Sequence, residues 1–289
     1  MSKASEVYTI IAALKKAEEV MKLRKDWKPE NETQKRFLKK FLHTCRDDKV
    51  DEIDLEVSDK AEIINKFLEM KGFSIRLQPF PANTLGFASI LDLVVDWLYG
   101  GEKVKIDAKN GERYDGVRIK KEGVSFYEST VNGYKHIVAC IMTKSGDIVS
   151  ITVPKEPLEG LDLVEMADDI FRNMDVLLGR YDGIRFPMVD LDVVNDIAWL
   201  RDMSTVNAVG TPAEITQAIQ QIKIKINDKG ARFQSATAMA ITLKCITASI
   251  PQDLIIREPF LVWVGRHELE KPIMAAFVTE ENWKNPGNL

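Results

Sequence analysis

Apolar residues recur at helical spacing through the first third of the chain. Val7, Ile10, Ile11, Leu14, Ala17, Val20 and Met21 fall on one stripe, which predicts an amphipathic helix that Pro29 ends. Asn31-Glu32-Thr33 offers start signals for a second helix with Phe37, Leu38, Phe41 and Leu42 as its apolar face. The segment from Arg46 to Asp59 is dense in charge and reads as a linker. Ser58 is placed to cap a third helix, with Ile63, Ile64, Phe67 and Leu68 inward and Gly72 as its stop. Pro79 and Pro81 break the chain before an apolar run. That run, Leu85 to Tyr99, is interrupted by Asp92 and Asp96, so a buried helix around Ile90 to Leu98 is expected rather than a membrane span.

From Gly100 onward the period shortens to that of strands. Val104-Lys105-Ile106, Val117-Arg118-Ile119, Val124 to Tyr127, His136 to Met142 and Ile148 to Val153 are separated by the turn pairs Asn110-Gly111, Asn132-Gly133 and Ser145-Gly146. This predicts an antiparallel meander. A helix from about Leu161 to Leu178, a strand from Ile184 to Val189 and a short helix from Val193 to Leu200 follow. Helices first and a mostly antiparallel β body with inserted helices afterwards predict an α+β fold. The expected division is a helical N-terminal arm or subdomain over residues 1–57 and an α+β body over 58–289.

Composition changes this picture little. The chain has 289 residues, 45% hydrophobic and 29% charged, which is ordinary for a globular protein. Its net charge of -4 argues against a generally basic nucleic-acid binder. Residues 1–49 nevertheless carry an excess of five positive charges over a body that is acidic. The three cysteines, Cys45, Cys140 and Cys245, are far apart and form no Cys-x-x-Cys or Cys/His cluster. Neither a zinc site nor a disulfide framework is indicated, which suits a reducing, cytoplasmic or otherwise intracellular location. The first 28 residues alternate apolar and charged side chains and do not read as a signal peptide.

The last quarter has the most informative order of features. An alternating stretch, Ile215 to Ile226, runs into the turn Asn227-Asp228-Lys229-Gly230. A segment of small and hydroxyl residues follows from Ser235 to Thr242, then Pro259 to Val264 and a closing strand, Pro272 to Val278. Four landmarks from about residue 85 to 289 together resemble a serpin. They are Val153-Pro154-Lys155-Glu156 with Leu158 and Leu161, Phe186-Pro187 with Leu191, Leu200 and Asp202-Met203, Ile224 to Gly230, and Pro259 to Trp263 with Ile273 to Val278. Residues 1–60 do not match; serpins are longer, and the missing length falls among their first helices and the sheet-opening region.

The resemblance implies an exposed loop after a hinge, cut by a protease and then inserted into the main sheet as a new strand. The hinge residues would be Gly230, Ala231, Phe233, Ala236 and Thr237. Phe233 and Gln234 depart from the alanine-rich hinge of inhibitors; a Phe entering a packed sheet costs about 1–3 kcal/mol by overpacking. By the family's loop length the bond offered to a protease would be Lys244-Cys245, which suits a trypsin-like enzyme. Read without the resemblance, Thr237 to Ile250 is equally an ordinary strand, with Ile241, Thr242, Ile246 and Thr247 β-branched.

No other constellation carries chemistry. Asp190, Asp192 and Asp196 lack the glycine turn and glutamate of a calcium loop. His43, His136 and His267 are isolated, and Ser129 and Ser204 sit in no nucleophile elbow. No metal or cofactor is expected, and an enzyme is the least supported class. The expectation is a non-enzymatic protein that binds another protein, with protease inhibition as its sharpest form. The alternative is a self-assembling structural protein of viral matrix or nucleoprotein type. Its basic helices, with Lys35, Arg36, Lys39 and Lys40 on adjacent faces, would contact a neighbour, RNA or an acidic membrane.

Overall fold

The computed structural model describes residues 1–24, 26–195, 197–232 and 252–289. The chain opens with β1 (Lys3–Glu6), α1 (Tyr8–Val20) and α2 (Glu32–Phe37), which passes into a π-helical turn over Leu38–Leu42. Then come β2 (Ile53–Ser58), α3 (Ala61–Met70), β3 (Gly86–Leu91) and β4 (Val95–Asp96). The β-rich middle holds β5 (Glu102–Asp107), β6 (Arg113–Lys120), β7 (Val124–Val131), β8 (Tyr134–Met142) and β9 (Ile148–Thr152). After α4 (Leu161–Arg172) follow β10 (Met174–Val176), β11 (Tyr181–Pro187), β12 (Val189–Asn195), β13 (Ser204–Val206) and β14 (Pro212–Glu214). The chain closes with β15 (Gln220–Ile226), β16 (Gly230–Arg232), β17 (Gln252–Ile255), β18 (Phe260–Gly265) and β19 (Met274–Val278). This is an α+β fold with helices concentrated early and a mostly antiparallel body, as the periodicity predicts.

Two compact units emerge, and each has its own core. The first comprises residues 1–5, 92–192 and 223–289. Its main sheet, among the described residues, runs β1-β19-β18-β9-β8-β7-β10. The final strands lie near its middle, β18 between β19 and β9, and Phe260 to Val264 and Met274 to Val278 are buried without interruption. Strands covered on both faces read as continuous apolar runs instead of alternating ones, which explains their sequence. A second sheet has the order β17-β11-β6-β5, and a third β12-β15-β16-β4. The expected meander is therefore divided: β5 and β6 pair with each other in one sheet, while β7, β8 and β9 form a ladder in another. The 3-10 turn Lys121–Gly123 makes the switch.

The second unit comprises residues 6–91 and 193–222. Helix α1 buries Ile10, Ile11, Leu14 and Ala17 of the expected stripe, and Tyr8 with them, while Val20 at its end is exposed. Asn31 caps α2, its side chain accepting the Gln34 N–H at 2.9 Å. Phe37 packs on Trp199 with ring centroids 5.3 Å apart, and Gln34 Nε2 donates to the carbonyls of Trp199 and Arg201 at 2.7 and 2.8 Å. Ile64 and Leu68 of α3 join Ala88 and Ile90 of β3 in a small core that Phe67, Phe73, Ile75, Leu77 and Phe80 close.

Five expectations about elements need correction. The charged segment 46–59 is no simple linker: Ile53 to Ser58 pairs with Gly86 to Leu91 in antiparallel register. The apolar run at 85–99 is not a helix. Burial alternates from Gly86 to Leu91, and after Asp92 the chain forms a short second strand, Val95–Asp96. Helix α4 stops at Arg172, because Met174 to Val176 pairs with β7. Val193 to Asn195 continues β12, leaving only a 3-10 turn at Ala198–Leu200. Ser58 closes β2, and its hydroxyl accepts the Lys60 N–H at 3.1 Å rather than capping α3 directly.

Candidate functional site

The site is built on the two ends that bracket residues 233–251, both in the first unit. On the upstream side β15 reverses through Asn227–Lys229 and returns as β16. Lys225 pairs with Arg232 and Ile226 with Ala231. On its other edge β16 pairs with β4, Gly230 opposite Asp96 and Ala231 opposite Val95. The three residues after the turn are therefore a strand held on both sides. Ala231 and Val95 are buried, and no bulkier residue than glycine fits at 230, because a Cβ there would strike the Val95 carbonyl.

The turn is fixed by polar contacts around Asn227, which is 2% exposed. Asn227 Oδ1 accepts the N–H groups of Lys229 and Gly230 at 2.8 and 3.3 Å, and its own N–H donates to the Gly230 carbonyl at 3.0 Å. An asparagine that binds the backbone two and three residues on is the standard way to shape a tight reversal. Trp97 Nε1 donates to the Asn227 carbonyl at 2.9 Å, and the Trp97 N–H to the Lys229 carbonyl at 3.1 Å. The Trp97 ring meets Phe186 edge-on at 6.3 Å. Gly101 N–H donates to the Asp228 carbonyl at 2.8 Å. At the far end of β16 an exposed bidentate pair joins Arg232 to Asp92 at 3.1 Å.

Downstream, β17 is, among the described residues, an edge strand that runs parallel to β11, with Ile184 opposite Leu254 and Arg185 opposite Ile255. Its anchor is Asp253, whose side chain is 5% exposed. The carboxylate accepts from Arg118 Nε at 2.8 Å, from Arg118 Nη2 at 3.1 Å and from Arg185 Nε at 2.6 Å. The Arg118 guanidinium, and after it Arg185, hold the Asp253 carboxyl below the usual carboxylate range. Gly183 leaves room for the carboxylate: a Cβ there would lie 3.0 Å from Asp253 Oδ1.

Of the residues singled out from the sequence, Gly230 and Ala231 lie in β16. Phe233, Ala236, Thr237, Lys244 and Cys245 lie outside the described residues. Lys35, Arg36, Lys39 and Lys40 fall on α2 and the π turn, where the His43 N–H reaches back to the Leu38 carbonyl at 3.0 Å. Lys35 pairs with Glu32 at 2.5 Å. Asp190 and Asp192 lie on β12, and Asp192 pairs with Lys223 at 3.2 Å. Ser129 and His136 face each other across β7 and β8, both buried; burial depresses the His136 pKa. Burial also pushes the Cys140 thiol up to about 12, which makes it unreactive. Among the described residues no His, Cys, Asp and Glu form a group of three or more that could hold a metal, and no helix is long and apolar enough to cross a membrane. The sequence pattern gave Asn227 as the start of a turn, without its anchoring role, and did not point to Trp97, Asp253, Arg118 or Arg185. Only Asn227, three residues before a glycine at a strand end, carried a local signal.

No protein-family model and no curated relative matches the sequence. The fold, in contrast, matches solved structures of serpins over nearly its whole length. Serpin48 of the insect Tenebrio molitor superposes with a TM-score of 0.54 at 13% identity, over 96% of this chain and 91% of that one. A thyroxine-binding globulin in complex with thyroxine gives 0.55 at 11% identity, over 98% and 93%. A serpin from the trematode Schistosoma haematobium gives 0.53 at 12%, over 96% and 93%. The chain has a serpin-like fold.

Proposed function

We propose that this protein binds another protein through the segment between β16 and β17, and acts as an inhibitor of a trypsin-like protease. The observation that carries the reading is β16 itself. The residues entering the segment occupy a strand position between β15 and β4, where an inserting strand would begin. The Asp253 clamp holds the other end in a different sheet, so the ends are fixed separately. In this reading a protease engages Lys244-Cys245, and cleavage frees the upstream part to extend β16.

The register of β16 defines what extension requires. Ala231 faces the interior beside Ile226, so positions 233, 235 and 237 would take the same face. The neighbours of the first of these would be Ile224 and Leu93, both 1% exposed. Ser235 and Thr237 are small enough for such places, and Phe233 must be accommodated by repacking. Limited trypsin digestion tests the reading. A single early cut after Lys244, followed by a rise in thermal stability and a covalent complex with active protease, is expected. A cut with no rise in stability and no complex would overturn it.

A further inference from the structure

The last residues of the chain fold back onto the hinge turn. Asn285-Pro286-Gly287-Asn288 has the residues of a type II turn, proline second and glycine third, and Gly287 has φ +72°. Asn285 Oδ1 accepts the Gly287 N–H at 2.9 Å. The turn aims the Gly287 carbonyl at Asn227, whose Nδ2 donates to it at 2.8 Å. The orientation of the Asn227 amide is not arbitrary. Its oxygen already accepts two backbone N–H groups, so only the nitrogen remains to meet the tail.

We propose that residues 285–288 are a strap that acts through Asn227 to hold the hinge turn, setting how readily Gly230–Arg232 moves in its sheet. This rests on the reading of β16 as the hinge. If β16 is to move, the Asn227–Gly230 turn must change shape, and the buried amide then loses the Gly287 carbonyl. One neutral, part-buried hydrogen bond corresponds to about fivefold in a local opening equilibrium. Asn227 is a positioning residue here.

Hydrogen exchange on the full-length chain tests the strap without any protease, so its outcome is separate from that of the inhibitory reading. Gly287→Ala has open space for its methyl group and acts only through the positive φ; Pro286→Gly loosens the same turn by entropy. Each is expected to speed exchange of the peptide spanning 227–232 by about fivefold and leave the β7–β8 hairpin unchanged. In an Asn227→Ala background, Gly287→Ala should add nothing, because the coupling has already been removed. Unchanged exchange at 227–232 in both single variants, additive effects in the double variant, or equal acceleration in the β7–β8 hairpin would each overturn the proposal.

Discussion

Gly230 lies opposite Asp96 and so close to the backbone of Val95 that a Cβ at position 230 would collide with the Val95 carbonyl oxygen, with Asp96 Cα 3.0 Å away. The contact is between backbone atoms, which cannot rotate aside as a side chain can. Gly230→Ala is therefore expected to push β16 off β4 and to cost about 2 kcal/mol. Urea unfolding with an unchanged m-value would measure it. An unaltered midpoint would mean that β16 does not press on β4.

Asp253 is a single acceptor for two arginines, so its removal leaves both cations without their shared partner. Arg185 is 40% exposed in its side chain, which screens part of the loss. Asp253→Asn is expected to cost about 2 kcal/mol, less than a fully buried pair would. The acid sensitivity follows from the sign of the shift. A carboxyl held below its unfolded value stabilises the fold above that value and loses the contribution as pH falls through the lowered folded pKa. Wild type should therefore lose more stability on acidification below about pH 4 than Asp253→Asn does, when the two are compared by thermal scans.

Glu6 has the opposite sign. Burial raises its pKa from 4.5 to about 7, against the hydrogen bonds it accepts from Thr9 N–H at 3.0 and 3.1 Å and from the Thr9 hydroxyl. The folded state holds this proton more tightly than the unfolded state. Stability is full below the unfolded value near 4.5 and declines as pH rises to about 7, by on the order of 3 kcal/mol in all. Glu6→Gln cannot ionise and should flatten this decline. Chemical denaturation at pH 5, 6 and 8 would check it, and parallel curves for the two proteins would refute the assignment.

Phe233 is the residue that the insertion reading must accommodate first. Phe233→Ala is expected to enlarge the rise in thermal midpoint that follows cleavage after Lys244, by an amount equivalent to about 1–3 kcal/mol. Differential scanning calorimetry of cut and uncut protein compares the two directly. An equal rise in both would place Phe233 outside the inserted strand.

Much of the fold was legible because local geometry announces itself. Asn132-Gly133 marks the β7–β8 hairpin, and both residues adopt positive φ, +51° and +73°, the conformation that a tight hairpin turn demands. The α1 stripe is equally direct. Ile53, Leu55 and Val57 also alternate with Asp54 and Glu56, so β2 was present in the pattern but hidden by its charge. Asp92 and Asp96, four apart, imitate one polar face of a helix; pairing of Ala231 with Val95 is what makes that stretch a strand.

The π turn and the loop anchors were not legible, for different reasons. Nothing in the residues from Leu38 to Leu42 signals that the helix widens there. Arg118 and Asp253 are 135 residues apart, and no spacing rule connects them.

Turns, stripes and alternation depend on φ, ψ and neighbours within a few bonds, so the chain alone determined the helices of its first third, the strands of its middle and the order in which they come. Which strands share a sheet, where β16 lodges and what Asn227 and Asp253 grip depend on contacts between distant segments. Those contacts arise only when the entropy of closing long loops is offset by burial, and for that reason tertiary structure alone decided them.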